Sequence, residues 1–412
     1  MMPITQSERT VLRDLARKVA EIAAHPEQEE RRQLYCRHAR LDNVRPLVMT
    51  FPEGSWRELL PESVLIAKDP TARSYESGFR TTIYQWEHFN HDLVTEPTFN
   101  VGMVRGSTGW GVEAKRIPST ESLGAWRFDP PLKSPDDLAK LVVPVTTVDY
   151  AETKKNFEAV EELFGDILTV QAKGGLPAGC SLIGQLASYR GLDQIMIDMI
   201  DRPEWVHKAM SFLCEASEKL ILQAQDEGTL SLNNRSDYNG SGGQGWTDEL
   251  PQEDFTGRVR LKDMWGMAEA QEIAQVSPQM HEEFVLQYQR RLLRHFGLNH
   301  YGCCEALHHK MQYMKKIPSL RKVSISPWAD VRVSAQELGN KYIFSWKPNP
   351  AELAAVTFDE DRVRKGIRET VKVCKEHNCV LEMVMKDTHT CNNDPSRFDR
   401  WLNIAMECAN EW

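Results

Sequence analysis

Apolar side chains at Leu12, Leu15, Val19 and Ile22 recur near helical spacing inside a strongly charged stretch, residues 7 to 40. The pattern predicts an N-terminal helical extension over residues 1–43. "VRPLVMTF" (44–51) is the first strand pattern, closed by Pro52 and Gly54. "TTIYQWEHF" and "TFNVGMVRGSTGWGVEAKRI" read as strands or hairpin-like excursions around glycine turns. After "SPDDLAKLVVP", where Ser134 or Asp136 can cap a short helix, the pattern becomes regular. "YAETKKNFEAVEELFGD" has helical periodicity, "ILTVQAKGG" is a strand ending in glycines, and a helix pair follows, broken at Asp201-Arg202-Pro203. "NNRSDYNGSGGQGW" (233–246) is expected to be a mobile loop or turn cluster.

From there helix alternates with strand to the end. "SPQMHEEFVLQYQRRLLRHFG" is a helix opened by Ser277-Pro278. "NHYGC", "KVSISP", "YIFSWKPNP" and "VLEMVMKD" are short apolar strands between helical segments. Repeated units of this kind imply a parallel sheet with helices packed outside it. The expected fold is α/β, a (β/α)8 TIM-type barrel over residues 44–412 carrying the helical extension. Polar residues gather where these strands end: Cys303, Cys304 and Glu305, then Asp330, then Lys347 and Asn349, then Asp387, His389 and Cys391. In a parallel barrel all such ends face one mouth, where barrel enzymes do their chemistry.

Composition narrows the class without naming a reaction. The 412 residues are 41% hydrophobic and 26% charged, enough for a large core. The net charge of −9 is dispersed and no basic stripe interleaves with aromatics, which excludes nucleic acid as the expected partner. No apolar run is long enough for a membrane span, and no signal-like apolar segment opens the chain. Nine cysteines, an odd number, then read as reduced thiols of a cytoplasmic protein.

The stretch "NHYGCCEALHHKM" (299–311) concentrates the candidate chemistry. Zinc needs thiolate, imidazole or carboxylate ligands from fixed elements. Cys303 or Cys304 on one strand end and Cys391 on another supply thiolates; Glu305, His300, His308 or His389 are further donors. Two alternatives stand beside this: a thiol nucleophile at Cys303 or Cys391 paired with a histidine, and an inert cysteine at a buried strand end. The glycine cluster at 240–245 lacks the setting of a nucleotide loop and reads as a lid or a solvated loop.

Three longer segments carry a resemblance: "LIGQLASYRGLDQIMIDMIDRPEWVHKAMSFL", "DMWGMAEAQEIAQVSPQMHEEFVLQYQRRLL" and "SISPWADVRVSAQELGNKYIFSWKPNPAEL", followed by "THTCNNDPSRFDRW". In this order, from about residue 160 onward, the chain resembles the uroporphyrinogen decarboxylase superfamily, and within it the corrinoid-linked methyltransferases. The resemblance implies zinc (Zn2+) held by an H-x-C motif at a strand end and by a second cysteine past the last strand, which falls on Cys391. The H-x-C strand falls on "HYGCC", where Tyr301 or Gly302 occupies the histidine position according to whether Cys303 or Cys304 is the ligand. The following helix favours Cys304. The remaining ligand lies among Glu305, His300, His389 and a residue elsewhere; Glu305, Asp330 and His389 are the candidate catalytic groups.

The implied reaction moves a methyl group between a methoxy, methylamine or thiol compound and the cobalt of a corrinoid (cobalamin) on a partner protein. A small methyl donor or acceptor is then the second partner, and a homodimer is compatible with the sequence. Trp86, Trp110 and Trp126 suggest a pocket for a methyl donor. The decarboxylase branch carries an arginine-rich N-terminal signature, of which "SWRELLPES" retains Arg57. A metal-free decarboxylase and a non-enzymatic tetrapyrrole-binding module are the competing readings.

Overall fold

A computed structural model describes residues 4–121 and 124–412. Thr5 begins helix α1 (Gln6–Ala23) with a capping box: Glu8 N–H donates to Thr5 Oγ1 at 3.3 Å, and Thr5 N–H to the Glu8 carboxylate at 2.8 Å. The stripe Leu12, Leu15, Val19 and Ile22 is buried in one apolar cluster with Phe79, Ile83 and Phe164. That cluster joins α1 to α3 (Pro70–His88) and α4 (Tyr150–Phe164); α2 (Pro26–Ala39) lies between α1 and the first strand. "TTIYQWEHF" is therefore helical, not a strand. Its β-branched and aromatic residues suggest a strand, but Ala72, Glu76, Phe79 and Ile83 share a buried helical face begun by the Asp69 cap.

Besides two short antiparallel pairs between residues 105 and 148, eight strands frame the rest: β1 (Leu47–Thr50), β2 (Thr98–Gly102), β3 (Thr169–Lys173), β4 (Trp265–Ala268), β5 (Leu298–Tyr301), β6 (Leu320–Ile325), β7 (Ile343–Trp346) and β8 (Val380–Met385). Six form one parallel sheet in the order β1-β8-β7-β6-β5-β4, and β2 and β3 form a separate parallel pair. The α/β class and the parallel sheet stand. A closed eight-stranded ring of backbone hydrogen bonds is not present among the described residues.

Side chains cross the opening instead. Asn233 exchanges two bonds with the Trp265 backbone, each 2.9 Å, and Gln244 bonds Val94 through both N–H (2.8 Å) and C=O (2.9 Å). The asparagine-, serine- and glycine-rich segment between the long helix Pro203–Asp226 and β4 thus fills the gap with no strand of its own. It is also not a solvated loop: Asn239, Ser241, Gly242, Gly243, Gly245 and Trp246 are buried. Among the described residues no helix is long and apolar enough to cross a membrane.

Candidate functional site

The strands that carry the predicted site alternate in an unexpected way. Along β6, Lys322 and Ser324 are followed by Ser326; along β7, Ser345 by Lys347; along β8, Glu382 and Val384 by Lys386. All are buried, so the face opposite the helices is largely polar where a parallel barrel ordinarily packs branched aliphatics. Lys322 Nζ lies 2.9 Å from the Glu382 carboxylate. The Ser345 hydroxyl donates to Glu382 Oε1 at 2.5 Å and accepts from Lys347 Nζ at 2.5 Å. The buried glycine segment closes this interior. A Cβ on Gly243 would come within 3.3 Å of Lys322 Nζ, and one on Gly240 within 1.5 Å of His300 Nδ1.

Above that layer β5 ends at Tyr301, and Gly302 turns the chain with φ +97°, a conformation suited to glycine. The turn brings the Cys303 and Cys304 sulfurs to 3.6 Å of each other, with Asp387 Oδ2 3.6 Å from Cys304. Adjacent cysteines in an extended strand would point to opposite faces, so this juxtaposition depends on the turn. Cys303 is the more acidic thiol. The Cys304 S–H held against it stabilises its thiolate, Lys386 adds positive potential, and Cys304 is pushed up in return.

The other predicted residues are placed as follows. Glu305 is buried and faces backbone: its oxygens accept from Ala270 N–H and Cys303 N–H, both at 2.9 Å, so it fixes the thiol turn to the end of β4. Asp330 is exposed and caps the helix Val331–Leu338 through Val333 N–H. His389 is exposed, and its carbonyl accepts from Arg57. Cys391 donates its S–H to Glu58 Oε2 at 3.1 Å, and burial together with Glu58 pushes the thiol up to about 12. His300 is fully buried with neither ring nitrogen hydrogen-bonded, and burial with Lys347, Lys322 and Lys386 around it keeps it neutral. The structure therefore joins Cys303 to Cys304 and leaves Cys391, His389 and Asp330 apart from them. Among the described residues no three His, Cys, Asp or Glu side chains stand together as a cation site.

The tryptophans also diverge. Trp110 packs on Phe212, Trp126 meets Phe128 edge to face under Arg116, and Trp86 lines a cavity of about 520 Å³ with Tyr75, Phe79 and Phe99, away from the thiols.

Glu269, one residue past β4, is a member of the site that the sequence reading missed. Burial, then the neighbouring Glu272, raises its carboxyl to about 8, so it is protonated at neutral pH. In the unfolded chain it ionises near 4.5. Its contribution to stability is thus full below that value and is lost as the pH rises toward 8. Glu269→Gln should match the wild type at pH 4.5 and exceed it by about 2 kcal/mol at pH 8, after allowance for partial solvent screening. Urea unfolding across that range measures the difference; parallel curves for the two proteins would rule the protonated carboxyl out.

The arrangement of strands has a counterpart among solved structures. Its fold is similar to that of a methyltransferase from Methanosarcina mazei. The match has a TM-score of 0.50 and covers 92% of this chain and 98% of that one, at 10% identity. No family model matches the chain, and no curated protein matches it in sequence. At that identity the likeness speaks for the fold alone.

Proposed function

We propose that this chain is a methyltransferase of the uroporphyrinogen decarboxylase superfamily. In this reading its strands belong to a TIM-type barrel, and a methyl group moves between a small methylated substrate and the cobalt of a corrinoid on a partner protein. The observation that carries the proposal is the Cys303–Cys304 pair at the carboxyl ends of the parallel strands. Tetrahedral zinc with Zn–S bonds of about 2.3 Å sets two sulfurs about 3.8 Å apart, and the pair at 3.6 Å is close to that spacing. Cys303 and Cys304 would hold the metal, with Asp387 as the nearest carboxylate. Zinc, when bound, supplies Lewis acidity toward a substrate heteroatom.

The remaining work falls to this chain's own groups. Gly302 and the Glu305 carboxylate hold the two sulfurs in one orientation, and Lys386 offsets the negative charge of Cys303 and Asp387. Glu269, protonated at neutral pH, can give a proton to a departing oxygen or nitrogen and so favours the methyl-donor direction. The competing reading, a metal-free decarboxylase, would draw on the same buried lysines.

Metal analysis and a methyl-donor screen against reduced cobalamin separate the two. The expected outcome is roughly one zinc per chain, lost on Cys303→Ser or Cys304→Ser, with methyl–cobalt formation falling more than about 100-fold. Wild-type protein free of zinc, or activity that survives both replacements and a chelator, would remove the metal from the reaction.

A further inference from the structure

Buried cations need partners, because an ammonium without one forfeits its hydration. Lys322, Lys347 and Lys386 are 3%, 3% and 6% exposed. Lys322 has Glu382, and Lys386 has Asp387 at 2.9 Å. Lys347 has no carboxylate within ion-pairing distance among the described residues. Its bonds go to Ser345 Oγ at 2.5 Å and Ser345 O at 3.2 Å, leaving one N–H unclaimed. Glu382 and, more weakly, Cys303 lend it negative potential, but neither makes a hydrogen bond with it.

Further unpartnered polar groups lie along β6, β5 and the glycine-rich segment. Lys347 N–H bonds the Ile325 carbonyl, and Ile325 pairs with Trp346, so Ser326 and Lys347 are the next neighbours across β6 and β7. Ser326 is 1% exposed and its hydroxyl has no partner. His300 pairs in register with Lys322 and has two unpartnered ring nitrogens. Gly240 lies against that ring, and Asn239, next to it in the chain, has a buried and unpartnered Nδ2. Each orphan costs about 1–3 kcal/mol, and native interiors hold few of them. The lysine N–H and the Ser326 hydroxyl are free donors on neighbouring strands, beside a cation that reaches its nearest carboxylate, Glu382, only through the Ser345 hydroxyl.

We propose that Lys347 and Ser326, at the carboxyl ends of β7 and β6, bind the carboxylate of a small molecule, which places its remaining atoms toward the Cys303–Cys304 mouth. A carboxylate is acceptor-only and compact, and its single charge matches the one of these three lysines that has no carboxylate in ion-pairing distance. A dianionic phosphate would bring a charge for which the interior has no second free cation. Burial, with Lys322 and Lys386 nearby, draws the Lys347 ammonium down to about 7, and an anion beside it would hold the proton on. The site concerns what is bound rather than what reaction follows, so it stands apart from the methyl-transfer proposal.

The test uses the full chain with no methyl donor present. Sodium acetate, sodium formate and inorganic phosphate are titrated at constant ionic strength against sodium chloride, by calorimetry and thermal unfolding. Acetate or formate should raise the unfolding temperature more than chloride does. Lys347→Met should weaken carboxylate binding at least about tenfold and Ser326→Ala several-fold, as expected for a charged and a neutral hydrogen bond. Should Lys347→Met fail to fold, Ser326→Ala decides, since it removes one unpaired hydroxyl. A carboxylate effect no greater than that of chloride, equal binding in the variants that fold, or phosphate binding tighter than acetate would each overturn the assignment. Chelator-treated protein is run in parallel: carboxylate binding that persists without metal supports the site whatever the zinc analysis finds, and binding lost with the metal overturns it.

Discussion

Replacing Gly240 by alanine will destabilise the protein by about 4 kcal/mol or more, placing it among the severe single substitutions. The new Cβ would stand 1.5 Å from His300 Nδ1 and 2.2 Å from Cε1, and the backbone at this position has φ +63°. The positive φ accounts for about 1–2 kcal/mol by itself. The rest comes from a ring that has no room to withdraw, because His300 is fully buried among packed strands. The two parts can be separated. His300→Ala removes the ring, so Gly240→Ala made in that background should retain the backbone strain and lose the clash. A double-mutant cycle by urea unfolding at pH 7 should therefore give a coupling of about 2 kcal/mol or more. Additive costs would mean that the glycine segment is not seated on His300.

Glu382→Ala should cost about 3–5 kcal/mol, the range for breaking a buried ion pair from one side. Glu382 is 0% exposed, with Lys322 at 2.9 Å and the Ser345 hydroxyl at 2.5 Å. Its carboxyl is drawn down despite burial, because Lys322, His38 and Lys347 favour the anion. Alanine would leave Lys322 without a counter-charge, take the acceptor from Ser345, and add to the positive charge near Lys347. Pairing Lys322→Met with Glu382→Leu removes both charges at similar volume, and that double variant should lie within about 1–2 kcal/mol of the wild type. Equal loss in the single and double variants would show that shape rather than charge is what the pair contributes.

The chain announces its class plainly but says less about its interior. The closing βα units are legible because β6, β7 and β8 are short apolar runs between amphipathic helices. The helix Pro70–His88 is harder to read: Thr81, Thr82, Ile83 and Tyr84 have strand preferences, and the tertiary contacts of Phe79 and Ile83 prevail over them. The glycine-rich segment was misleading for a related reason. Composition suggests solvent, yet glycine is also the residue that lets backbone approach other groups closely, as at Gly240 and Gly243.

Two features of the site could have been found. Lys322-x-Ser324-x-Ser326 and Ser345-x-Lys347 place polar residues at every second position of otherwise apolar strands. That period marks a polar inner face, and in strands buried on both sides it is a signal in its own right. Glu269 sits one residue past a strand end, close to the positions of Cys303 and Asp387, which lie two residues past theirs. What no spacing reveals is the positive φ of Gly302 that turns two adjacent cysteines toward one another, or the contact that gives Cys391 to Glu58.

The gap between β1 and β4 gives this sheet an unequal circumference. Around most of it, strands are joined by backbone ladders that part only when whole strands separate. Along one line they are joined by Asn233, Gln244 and Lys173, side chains whose bonds can be released one at a time. That line runs beside the polar interior, so the molecule can breathe there while the remaining five pairings stay closed. It is a hinge side and a latch side in one sheet, with the charged interior lying just inside the latch.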